Sequence, residues 1–62
     1  MSVEQFKAQR EMEILKADAE RLTELKTFLS AHNNPGNRRR VEEITEELKR
    51  IEARLAVLDG IV

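Results

Sequence analysis

Three groups of side chains in this chain are of types that can do chemistry: a single histidine, His32; a block of carboxylates, Glu42, Glu43, Glu46 and Glu47; and three consecutive arginines, Arg38, Arg39 and Arg40. Nucleophilic catalysis needs a nucleophile, a base beside it and a third group that orients the base. His32 stands alone in a stretch rich in helix breakers. An imidazole placed at a helix end interacts with the free carbonyls and the negative end of the dipole. With no cysteine and one histidine the chain has no set of zinc ligands. The carboxylates lie on an amphipathic pattern that turns them to water, away from the dry cleft that would shift their pKa values. There is no glycine-rich phosphate loop. The expectation is a non-enzymatic protein with no catalytic residues, no cofactor, no metal and no small-molecule substrate.

The arginines are the feature that folding explains least. Cations in the first turn of a helix oppose its positive dipole end and cost a few tenths of a kcal/mol each. The C-terminus of a preceding helix and the acids Glu42 and Glu43 can offset that cost. Otherwise the triplet is a recognition site for an acidic protein surface or for phosphates. Acids and bases nearly cancel, at a formal net charge of −1 with 37% charged residues, which argues against wholesale phosphate neutralisation. Phe6 and Phe28 are the only aromatics, too few for a base-stacking platform. Base-reading donors are limited to Asn33, Asn34 and Asn37. A larger protein is therefore the first expected partner and RNA or DNA the alternative.

Two elements must position these groups. Val41, Ile44, Leu48, Ile51, Leu55, Leu58 and Val62 alternate at spacings of three and four, which puts them on one narrow stripe of a helix. Upstream, Val3 to Ala31 holds no glycine or proline and is dominated by strong helix formers. Ser2 and Gln5 fit a capping box at its start. Its stripe is Ala8, Met12, Leu15, Ala19, Leu22 and Leu29, small residues letting a partner helix come close. Lys26 breaks that line, and Leu25 is expected to take over beside it. Ser30 to Asn37 holds the breakers, and Asn33 can adopt the left-handed conformation that ends a helix. Asn37 is the preferred N-cap of the second helix, since Asn34 with Pro35 would put Gly36 inside the first turn. Gly60 is expected to end that helix and leave Ile61 and Val62 free to fold back. The reading is all-α: one domain over residues 1–62, helix one about 3–31, a turn at 32–37, helix two about 38–59, joined as an antiparallel hairpin. Arg38–Glu42, Arg39–Glu43 and Glu46–Arg50 are ion pairs expected from spacing.

A second apolar set, Val3, Phe6, Ile14, Leu25 and Phe28, lies roughly 100–200° round helix one from the first stripe when projected at ~100° per residue. A lone hairpin cannot cover both. A 62-residue chain without disulfide or metal commonly needs another subunit. The expectation is a homodimer forming a four-helix bundle, with Met12, Leu15, Ala19, Leu22, Leu29, Val41, Ile44, Leu48, Ile51, Leu55 and Leu58 as its seam; trimer and tetramer are the alternatives. Phe6, Ile14 and Phe28 with Arg38, Arg39 and Arg40 are the candidate partner contacts. No stretch has the roughly 20 apolar residues of a membrane span or the core of a signal peptide, so a cytoplasmic protein is expected. The build is that of the small inhibitors and adaptors of phages and mobile elements, by analogy only. A purely structural oligomerisation element is the third functional class.

One five-residue stretch carries a resemblance. Thr45-Glu46-Glu47-Leu48-Lys49 is similar to the Ser-Gln-Glu-Leu-Asp motif of small helical-hairpin phosphatases that act on sporulation response regulators, at a like place early in the second helix. Lys49 stands where that family has an acid, so the catalytic role does not carry over. In length and hairpin build the chain is also similar to the dimeric plasmid repressors of primer that bind paired RNA loops, with no residue correspondence.

Overall fold

The computed structural model describes residues 2–62 and holds two helices, α1 (Val3–Ala31) and α2 (Pro35–Ile61), packed against each other as a hairpin. Met1, the first residue of the domain read from the sequence, lies outside the described residues. No strand occurs among them.

α1 starts where its caps dictate. The Gln5 N–H donates to Ser2 Oγ at 3.1 Å and the Ser2 N–H donates to Gln5 Oε1 at 3.3 Å, the reciprocal capping box expected from the sequence. Its 29 residues make a rod of about 43 Å. At the other end His32 is the C-cap, with φ −112° and ψ 69°, and its N–H donates to Leu29 O. Asn33 does not take the left-handed form; no residue with a side chain has positive φ among those described.

The start of α2 corrects the sequence reading. Asn34 is the N-cap: its backbone is extended, and its side-chain oxygen accepts from the Asn37 N–H at 2.9 Å. Pro35 and Gly36 form the first turn, so the connection is residues 32–34. Proline at the first helical position has φ already set and lacks only an N–H that would have had no helical partner. That advantage outweighs a glycine penalty of about 1 kcal/mol, felt weakly at a helix end. Asn37, freed from capping, is half-buried and donates from Nδ2 to His32 O across the turn. Gly60 does not end α2 either. Helix continues to Ile61, and the Val62 N–H donates to Leu58 O. Staying helical half-buries Ile61 without a fold-back.

The core is a single seam between the helices. Ala8, Ile44, Ile51 and Leu58 are buried, with Met12, Leu15, Ala19, Leu22, Leu29, Val41, Leu48 and Leu55 half-buried around them. Lys26 stays on this seam, half-buried, while Leu25 is left 37% exposed, so Leu25 does not take over as expected. A lysine stem covers apolar surface while its ammonium stays wet, which lets the stripe run straight through. The molecule measures 48 × 15 × 11 Å with a radius of gyration of 14.5 Å, against about 11 Å for a globular chain of this length. A rod has little interior, which is why only four side chains are buried among the described residues. No helix among the described residues is long and apolar enough to cross a membrane.

Candidate interaction surfaces

Two surfaces remain outside the seam. The first is the outer face of α1. Val3, Phe6, Ile14 and Phe28 are 71, 55, 58 and 60% exposed, and Leu25 adds to the same side. Their exposure follows from the 3.6-residue turn: once Ala8, Met12 and Leu15 face α2, residues two positions away along the chain point elsewhere. Val57 of α2 is 56% exposed, an apolar surface residue that the sequence reading did not single out. It lies between Leu55 and Leu58, off the three-and-four line that marks the seam. Phe28 has a local companion: its ring lies 4.7 Å from that of His32, whose Nδ1 is 3.1 Å from Phe28 O. His32 is thus occupied in closing α1.

The second surface is the basic corner where α2 begins. Arg38, Arg39 and Arg40 are all exposed. Arg40 pairs with Glu43 at 3.5 Å, whereas Arg38 and Arg39 make no ion pair among the described residues. The four-apart pairs expected from spacing do not form. Pairs three apart take their place, Arg40–Glu43, Glu46–Lys49 at 3.7 Å and Asp18–Arg21. Both spacings bring helical side chains together, and on a wet surface so little energy separates them that local rotamers decide. Two open depressions meet at the corner. One is lined by Leu29, Ser30, Asn33, Arg38, Val41 and Glu42, the other by Pro35, Arg38, Arg39 and Glu42. Glu42 lies in both, which tempers the positive field of the arginines. Neither depression is the closed, dry space in which a carboxylate or imidazole becomes an acid–base catalyst.

One ion pair joins the helices. Arg54 Nε donates to Glu11 Oε2 at 2.6 Å and its Nη2 to Oε1 at 3.2 Å, a two-pronged contact between side chains distant in sequence. The guanidinium holds the Glu11 carboxyl below its ordinary pKa, chiefly through these hydrogen bonds, and Glu11 in turn raises that of Arg54. Arg54 borders the seam, a position from which a charge can select helix orientation, and its partner Glu11 is half-buried on α1. The pair ties Glu11 of α1 to Arg54 of α2 across the antiparallel hairpin. No group of three or more His, Cys, Asp or Glu side chains able to hold a metal ion occurs among the described residues.

No protein-family model matches the chain, and neither a curated protein nor a solved structure matches it significantly.

Proposed function

We propose that this chain is a small non-enzymatic binding protein, a regulator, inhibitor or adaptor that acts as a homo-oligomeric helical bundle by occupying a surface on a larger protein. The observation that carries the reading is the basic corner. Arg38 and Arg39 stand exposed without carboxylate partners in a chain whose acids and bases otherwise nearly cancel. Guanidinium groups carried on helix at the start of α2 make forked hydrogen bonds to carboxylates, so the chemistry that fits is an acidic protein surface. The apolar face of α1 supplies the other half of the reading, since large patterned apolar surface marks association.

The test reverses the charge of all three arginines, with helicity and melting checked first. Capture of cellular proteins by the R38E/R39E/R40E variant should fall at least tenfold relative to the parent chain. Unchanged capture would remove the corner from recognition. A second reading, RNA or DNA binding, is favoured by the same unpaired arginines. It requires gel-shift affinity that drops steeply as salt rises, and no shift at low salt ends it. A stable oligomer with neither kind of partner would leave only the structural role.

A further inference from the structure

The exposed face of α1 has an internal order that the seam lacks. Val3, Phe6 and Arg10 are followed eleven residues later by Ile14, Ala17 and Arg21, and eleven later again by Leu25, Phe28 and His32. Eleven residues span close to three full turns, so this pattern draws a nearly straight line along the helix. Projected at ~100° per residue, the line runs roughly 140° round from the residues that face α2. Taken from Val3 to Phe28, the line is also palindromic. Its apolar and arginine positions are mirrored about the point between Leu15 and Lys16: Val3 with Phe28, Phe6 with Leu25, Arg10 with Arg21, Ile14 with Ala17.

A helix face whose spacing reads the same in both directions matches its own copy when the copy runs antiparallel. We infer that the outer face of α1 is covered by the same face of a second copy of this chain, antiparallel, about a two-fold axis that passes beside the Leu15–Lys16 point. The inference builds on the homo-oligomeric part of the proposed function and specifies its surface, direction and register. Three arguments support this occupant over others. The antiparallel match sets large against small at its centre, Ile14 opposite Ala17 of the second copy, so the layers interdigitate as core layers do. A parallel match would set Ile14 against Ile14 and leave a gap at Ala17. The antiparallel match also brings Arg10 within reach of Glu24 of the second copy, and Arg21 within reach of its Glu13, which offsets the level placement of the two arginines. Finally it separates the two basic corners to opposite ends of a rod about as long as the 48 Å chain, where a parallel pair would crowd six arginines together. α2 offers a poorer face, since its outer positions up to Arg50 are charged or polar and beyond them Val57 is its one large exposed apolar residue, against five on α1. In the resulting assembly the two α1 helices form the centre and the two α2 helices the flanks.

Because the chain has no cysteine, introduced thiols read the register directly. Val3→Cys and Phe28→Cys chains are mixed in equal amounts, oxidised under native conditions and weighed intact. The expected product is the mixed disulfide of one V3C and one F28C chain, at least tenfold above the disulfide formed by either variant alone. A second mixture, Phe6→Cys with Leu25→Cys, samples the same register further from the fraying helix ends. A dimer by light scattering in which V3C alone cross-links as fast as the mixture would overturn the antiparallel match while leaving self-association standing. A monomer with no cross-link in either mixture would overturn both. The arginine-reversal experiment is independent of either outcome, because residues 38–40 lie outside the paired face.

Discussion

α2 has one apolar side and α1 has two. On α2 the apolar residues Val41, Ile44, Leu48, Ile51, Leu55 and Leu58 line up toward α1, with Val57 the one large apolar side chain left exposed, while Glu42, Glu43, Glu46, Lys49 and Arg50 face water. On α1, Ala8, Met12 and Leu15 meet α2, yet Val3, Phe6, Ile14 and Phe28 stand more than half exposed on the other side. A helix with one apolar stripe is satisfied by one neighbour; a helix with two is a central element that needs neighbours on both sides. The difference teaches that the hairpin has half of its architecture inside the chain and half at its surface.

Substitutions in the two helices can break or sharpen this contrast. The largest effect is expected at the α2 seam. Ile51→Ala removes a buried branched side chain and should cost ~2–5 kcal/mol, enough to threaten folding of so small a domain, as read by urea or thermal unfolding. Next is the close approach on α1. Ala8 is 4% exposed, so Ala8→Leu overpacks the seam and should destabilise by ~1–3 kcal/mol, whereas Ala53→Leu on the exposed side of α2 should leave stability within ~0.5 kcal/mol. Equal loss at both alanines would mean that Ala8 does not mark a close approach of the helices. Third is the corner: Asn34→Ala deletes the α2 cap and should cost ~0.5–2 kcal/mol, while Asn37→Ala, which leaves the Asn34 cap in place, should cost less. A larger loss at Asn37 would return the cap to that residue.

The smallest effect is a matter of pH. Glu11 has its folded-state pKa lowered by Arg54. Its contribution is therefore fully present above the ordinary glutamate range and is lost as pH falls through that range to the lower folded value. Glu11→Gln should flatten that part of the acid limb of a stability–pH curve. An unchanged acid limb would mean that the inter-helix pair does not form in solution.

Much of the fold was legible in the residues, and the failures share a cause. The α2 seam could be read because three-and-four alternation has one geometric meaning, and the capping box because Ser2 and Gln5 have no nearby rivals. The start of α2 was misread because Asn34 and Asn37 both fit a cap, and the choice rests on how much weight Pro35 carries against Gly36. Lys26 reads as a break because a charge count ignores its apolar stem, which in the fold lies half-buried on the seam. The Glu11–Arg54 pair depends on the register between helices, which is known only once the turn length is set. At the corner the sequence marks three arginines alike; only rotamers and local geometry separate Arg40, held by Glu43, from Arg38 and Arg39.

The central claim is that the second apolar face of α1 must be covered, and dilution tests it most directly. Thermal unfolding followed by circular dichroism across a hundredfold range of chain concentration, with sedimentation equilibrium at each end, is the measurement. The expected result is a mass near twice the 7.2 kDa of one chain at the upper end and a melting temperature that falls steadily on dilution. A single-chain mass with a cooperative, concentration-independent melt would contradict it.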